Sequence, residues 1–141
     1  MKSFMSRSAM AGLLMGVSVL ASAATQAPEG AEVSIVAPAD GATVPQTVVV
    51  KFAVKDIALA PAGDPTKNTG HHHLLIDVDE LPAAGQPIPN DANHLHFGKA
   101  QTQAEITLTP GKHTLQLELG DRNHLPFDPP IVSEKITVNV K

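Results

Sequence analysis

Apolar and polar residues alternate along most of this chain, and the period of two predicts strands rather than helices. Glu32 to Ala37 alternates around Val33 and Ile35 and ends in a Pro38-Ala39-Asp40-Gly41 turn, as a first edge strand would. Thr47 to Ile57 is a β-branched run with Val48, Val50, Phe52 and Val54 on one parity. His71 to Asp79 places His72, Leu74, Ile76 and Val78 on one face, and His71, His73, Leu75 and Asp77 on the other. The first of these faces reads as core. Leu75 on the second suggests that a loop covers that side too.

Further strands follow at His94 to Lys99, with Leu95 and Phe97 inward and His94 and His96 outward, and at Gln103 to Thr109, through Ala104, Ile106 and Leu108. His113 to Leu119 sets His113 and three leucines against Thr114, Gln116 and Glu118, and Ile131 to Val140 closes the chain with Ile136, Val138 and Val140 in alternation. The long connections, 58–70, 80–93 and 120–130, are rich in Pro, Gly, Asp and Asn. About seven strands with turn signals at even spacing predict an all-β fold, an immunoglobulin-like antiparallel β-sandwich.

The first 23 residues stand outside this pattern. Lys2 and Arg7 precede an apolar run from Ala9 to Leu20, and Ala21-Ser22-Ala23 offers a small-x-small cleavage site, so 1–23 reads as a secretory signal peptide. The expected organisation is then a flexible mature N-terminus over 24–31 and one domain over 32–141. No Cys follows the apolar run to carry a lipid. A periplasmic or secreted protein is the expectation, with no membrane attachment after cleavage.

Removal of the leader changes the composition. All four methionines lie within it, and the remainder has no Met, Cys, Trp or Tyr. Losing Lys2 and Arg7 takes the net charge from −4 to −6, which argues against a nucleic-acid partner. Without thiolate or thioether ligands, any metal site must be built from imidazole and oxygen, which suits divalent copper or zinc.

Candidate ligands are plentiful. Five of the seven histidines fall in Gly70-His71-His72-His73-Leu74-Leu75-Ile76-Asp77 and Asn93-His94-Leu95-His96-Phe97-Gly98. Residues two apart in a strand share a face about 6.5 to 7 Å apart, so His71 projects with His73, and His94 with His96. On neighbouring strands the two pairs would bring four imidazoles to one ion. His124, flanked by Asp121, Asn123 and Asp128, lies just beyond a strand end, where antiparallel pairing would bring it to His71. Asp121 or Asp128 would ligate or orient an imidazole. The candidate metal ligands are therefore His71, His73, His94, His96 and His124, whereas His72 and His113 share their parities with core residues and read as structural.

No enzyme is expected. Ser34 and Ser133 lie within strands with no nucleophile elbow, no Gly-rich phosphate loop is present, and Asp77 and Asp79, on one strand face, read equally as solvated edge residues or as oxygen ligands. The segment His94-Leu95-His96-Phe97-Gly98 resembles the copper-ligand strand of copper-zinc superoxide dismutases, but the spacing differs before the Phe and the cysteines of that family are missing.

The four blocks Gly-His-His-His-Leu-Leu-Ile-Asp, Asn-His-Leu-His-Phe-Gly-Lys, Pro-Gly-Lys-His-Thr-Leu-Gln-Leu and Asn-His-Leu-Pro-Phe-Asp-Pro-Pro resemble, in this order, the uncharacterised family of small exported bacterial domains called domain of unknown function 4399. The resemblance runs from Glu32 to the end and implies the sandwich fold and export. It hands down no activity. The expected function is binding of a divalent transition metal for buffering, delivery or tolerance. The alternative is an adhesive or scaffolding module with a pH-sensitive histidine face and a periplasmic protein partner.

Overall fold

The alternating stretches become nine strands in the computed structural model, which describes residues 12, 13, 15, 16 and 24–141. Apart from those four isolated positions, the signal-peptide reading of 1–23 lies outside the described residues. The strands are β1 (Glu32–Ala37), β2 (Thr43–Val44), β3 (Thr47–Lys55), β4 (Ala58–Leu59), β5 (Thr69–Ile76), β6 (His94–Phe97), β7 (Gln103–Thr107), β8 (Gly111–Gly120) and β9 (Ile136–Val140). One sheet has the order β1-β3-β7, and the other runs β2-β9-β8-β5-β4 with β6 also paired to β5. Together they form an immunoglobulin-like antiparallel β-sandwich.

The facing residues are those the alternation selects. Val48, Val50 and Phe52 of β3 meet Leu74 and Ile76 of β5, Leu115, Leu117 and Leu119 of β8, and Ile136, Val138 and Val140 of β9 in one buried cluster. Each large aliphatic side chain removed from water contributes about 1.5–3 kcal/mol. With no cysteine in the chain, that burial and the strand ladders hold the fold.

Nine strands appear where about seven were expected because β2 and β4 are two residues each, too short to show a period. Both pair in parallel, Thr43–Val44 with Asn139–Val140 and Ala58–Leu59 with Thr69–Gly70. Strand ends also moved. The expected run to Ile57 stops at Lys55 because Asp56 turns to φ 54°, and the run to Asp79 stops at Ile76 because Asp77 turns to φ 56°. Asp tolerates this left-handed conformation better than most residues, so each Asp ends its strand. Upstream of β9, Ile131 and Ser133 continue along β8. The Leu119 N–H donates to the Ile131 carbonyl at 3.0 Å, and the Ser133 hydroxyl accepts from the Leu117 N–H at 2.8 Å.

Two features of this frame position the chemistry. First, β5 has no exposed face: it lies between β8 and β6, and every residue from Gly70 to Ile76 is buried. Second, the start of the expected flexible stretch 24–31 is tied down. The Ala27 N–H donates to the Asp128 carbonyl at 2.9 Å, the Asp128 N–H donates to the Thr25 carbonyl at 2.9 Å, and the Thr25 hydroxyl donates to Asp121 Oδ2 at 2.7 Å.

His113 closes the far end of β8. Its Nδ1 lies 2.7 Å from Asp77 Oδ2 and its Nε2 lies 2.8 Å from the Thr109 carbonyl, and Asp77 Oδ1 accepts from the Thr114 N–H at 2.9 Å. Two acceptors facing one imidazole favour the doubly protonated ring, and the Asp77 hydrogen bond raises the His113 pKa above its ordinary value. A raised histidine pKa stabilises the fold fully below the unfolded value of about 6.5, and the gain is lost as pH climbs through the raised value. His113→Ala is therefore expected to destabilise the fold more at about pH 6 than at about pH 9. Urea midpoints at the two pH values measure this; an equal cost at both would remove the charged hydrogen bond from the account.

Candidate metal centre

The site is built from β5 outward. Period two puts His71 and His73 on the face of β5 turned away from the main core, each about 1% exposed. On one side β6 pairs His96 directly with His73, and on the other β8 pairs Gly120 with His71. His124 arrives from the loop after β8. Ligand nitrogens of His71, His73, His96 and His124 all lie within 4.8 Å of one another. His71 Nε2 is 3.1 Å from His124 Nδ1 and 3.0 Å from His73 Nε2.

Glycine and a carboxylate make room for these rings and hold them. A Cβ on Gly120 would lie 2.7 Å from His73 Nε2, and one on Gly98 would run into the His96 ring, so any side chain at either place would displace an imidazole. Asp121 shapes the loop that carries His124. Its Oδ1 accepts from the backbone N–H groups of Asn123 at 2.8 Å and Leu125 at 3.0 Å, and its carbonyl accepts from the His124 N–H at 2.9 Å. The His124 carbonyl accepts from the Ile88 N–H at 2.7 Å, which ties the β5–β6 loop to the same residue. His124 itself has φ 63°, a left-handed conformation held by this surrounding network. A cavity of about 240 Å³ opens beside the rings, lined by Pro87, Ile88 and Asn90 with His73, His96 and His124.

Burial sets the protonation. It drives the His71 pKa down to about 4, helped by His96 and His124 and opposed by Asp121. It drives His73 to about 3, with His71, His96 and His124 adding to the effect, and it lowers His96, with His124 second. These imidazoles are thus neutral at pH 7 and carry lone pairs. In a neutral imidazole each nitrogen has either one proton or one lone pair, so His71 Nε2 can make only one of its two close approaches a good hydrogen bond. His73 Nδ1 and His96 Nε2 have no hydrogen-bond partner. A single cation resolves the conflict, because it accepts every lone pair aimed at it. Four nitrogens at the zinc–imidazole bond length would stand about 3.3 Å apart, close to the two short separations found here.

Four of the five candidate ligands are brought together and one is not. β6 runs antiparallel to β5, so the register that sets His96 against His73 sets His94 against Leu75, two pairs farther from His71. His94 Nδ1 lies instead 2.8 Å from Asp91 Oδ1. Asp121 is occupied by its loop, and Asp128 is exposed with its backbone bound to Thr25 and Ala27. His72 points into the main core, 4.8 Å from the Phe52 ring, and burial lowers its pKa to about 4.

Sequence reasoning missed Glu118. Its alternation with three leucines placed it on a polar face, but it is 0% exposed, directly opposite His73, and neither carboxylate oxygen has a hydrogen-bond partner. Burial raises its pKa to about 7. Gly98 and Gly120 were also missed, since nothing in their neighbours' pattern shows that rings will lie over them.

No curated protein matches the chain. Among solved structures it is similar to one described as "Structures of Clostridium thermocellum CbhA fibronectin(III)-like modules", at 14% identity over 77% of this chain and 92% of that one, with a TM-score of 0.34. A family model matches residues 50–141, a span that includes all four clustered histidines. The chain belongs to the family described as Domain of unknown function (DUF4399).

Proposed function

We propose that this domain binds a divalent transition metal, zinc or copper, through His71, His73, His96 and His124. The observation that carries the reading is the convergence of four imidazoles on one point. An all-nitrogen set suits divalent copper or zinc, and the absence of sulfur ligands disfavours monovalent copper. Four protein ligands close the coordination sphere of zinc, whereas hydrolytic zinc sites keep a position open for water. The reading is therefore retention of the ion, for buffering, delivery or tolerance, rather than turnover. Read with the leader-like residues 1–23, it describes an exported metal-binding domain acting in the periplasm or outside the cell.

An ion that binds only the folded state raises stability by about 4 kcal/mol at a thousandfold excess over its dissociation constant. Zinc or divalent copper should therefore raise the melting temperature of the domain. The double variant His71→Ala with His96→Ala should abolish that rise, and His113→Ala should lower the starting temperature while keeping it. A melting temperature of the unaltered protein that neither ion moves refutes the reading.

Stability without metal should depend steeply on pH. Histidines with lowered pKa stabilise the fold above about 6.5, and the gain is lost as pH falls toward their folded values. Glu118, raised to about 7, acts in the opposite direction. At about pH 5 to 6 the unfolded chain gains protons on His71, His72 and His73 and lacks one that Glu118 keeps in the fold. The net difference of about two protons corresponds to about 3 kcal/mol per pH unit. Denaturation midpoints across this window in the presence of a chelator give the slope directly, and a flat profile would mean the rings are not held neutral.

Gly120→Ala tests the seating of the rings. Its Cβ must push His73 aside, an overpacking that costs about 1–3 kcal/mol. Zinc affinity should fall about tenfold or more, because displaced ligands bind poorly. Isothermal titration of folded variant and unaltered protein would show this, and equal affinities would count against the geometry.

A further inference from the structure

Across the second sheet one row of side chains runs His96, His73, Glu118, Val132, one from each adjacent segment. In it, two buried polar groups stand side by side with nothing to bond. His73 Nδ1 has no partner, and neither has either oxygen of Glu118. Cross-strand neighbours have Cβ atoms about 4.5–5.5 Å apart, within reach of each other through side-chain rotation. A fully buried carboxylate left unpartnered is costly, and native structures rarely keep one without a use. Every other buried acid is accounted for: among the described residues only Asp121 shares this depth, and its oxygens hold a loop.

The chemistry of the two groups is complementary. When His73 Nε2 gives its lone pair to a cation, its proton must sit on Nδ1, which then needs an acceptor. Four neutral imidazoles add no negative charge, so a divalent ion held by them alone would be a buried double charge. We propose, on the metal-binding reading above, that Glu118 is the positioning residue and counter-charge of the site, its carboxylate accepting a hydrogen bond from His73 Nδ1–H when His73 Nε2 holds the ion. This gives the orphan carboxylate a partner, fixes the tautomer of His73 and halves the charge to be buried. It also explains why a polar residue stands in the middle of β8, between Leu117 and Leu119, where a buried position normally selects an apolar one.

The test compares unaltered protein with Glu118→Gln, which keeps shape and removes charge. Zinc and cobalt affinities are read by competition with a chromogenic chelator, and the visible bands of bound divalent cobalt report ligand geometry. The expected result is an affinity about 10- to 100-fold weaker in the variant with shifted cobalt bands. Without metal, its melting temperature should be equal or higher, since a buried charge has gone. A merely structural Glu118 would give the reverse, lower stability and the same affinity. In unaltered protein loaded with zinc, the His73 Nδ1–H should appear as a slowly exchanging downfield proton resonance, a readout that does not depend on the variant folding. Normal affinity and cobalt bands in Glu118→Gln, or no such resonance, overturn this proposal and leave the metal site standing. If the unaltered protein binds neither ion, both readings fall.

Discussion

Everything distinctive about this domain follows from the burial of β5 on both faces. A strand between two neighbours in an open antiparallel sheet normally keeps one face for water, and its sequence alternates accordingly. Here the segment His71 to Ile76 is buried throughout, yet half of it is histidine. Burying an imidazole with unpaired nitrogens costs about 1–3 kcal/mol each. The two faces meet that cost differently. His72 is surrounded by the main core beside Phe52, where the leucines of β8 and the valines of β3 supply the compensating burial. His71 and His73 face His96 and His124 instead. The rings gather against one another rather than against leucine, while both nitrogens of His72 are left without a partner in the main core. Local rules of packing are broken in this way most often where a site is held ready.

The frame around that place is rigid where it needs to be. Three of the four imidazoles stand on strands whose ladders fix their backbones, and His73 and His96 are directly paired. The fourth is on a loop, but Asp121 organises that loop with two backbone hydrogen bonds and ties it to Thr25. The left-handed conformation of His124 costs of order 1 kcal/mol, which this network offsets. Gly98 and Gly120 give up side-chain packing so that rings can lie over bare backbone. The strained backbone of His124 and the two bare glycines weaken the fold locally but fix ring positions, which is what preorganisation requires.

Much of this was legible in the residue order. The alternations of β1, β3, β7, β8 and β9 located the sandwich and its core, and Leu75 correctly announced a second covered face. Antiparallel neighbours at His71 and His124 could be argued from strand ends alone. Other features depend on register, which the pattern of a single strand does not contain. Whether His94 or His96 stands opposite His73 is a shift of two residues that keeps the same face, invisible in a four-residue strand. Glu118 reads as solvent-facing because it alternates with leucines, and only the arrival of Ile131 to Ser133 along β8, with His73 on the other side, buries it. β2 and β4 are too short to carry a period, and Asp56 and Asp77 end strands through a backbone conformation that side-chain alternation does not encode.

The depth of the rings also sets how a bound ion would exchange. His71 is closed off, whereas His73, almost fully buried, borders the cavity together with the half-buried His96 and His124 and with Pro87, Ile88 and Asn90. An ion entering the proposed centre through this cavity would meet His96, His124 and the inner edge of His73, with His71 beneath them. Burial holds His71 and His73 far below the usual imidazole range, so they remain available as ligands in mildly acidic surroundings where exposed histidines are already charged. The outer pair is built differently: His96 is fixed by its ladder, while His124 depends on the hydrogen bonds of the Asp121 loop and of Ile88. Release from the proposed centre would therefore be gated most easily at His124, because loosening that loop would remove one ligand without disturbing any strand.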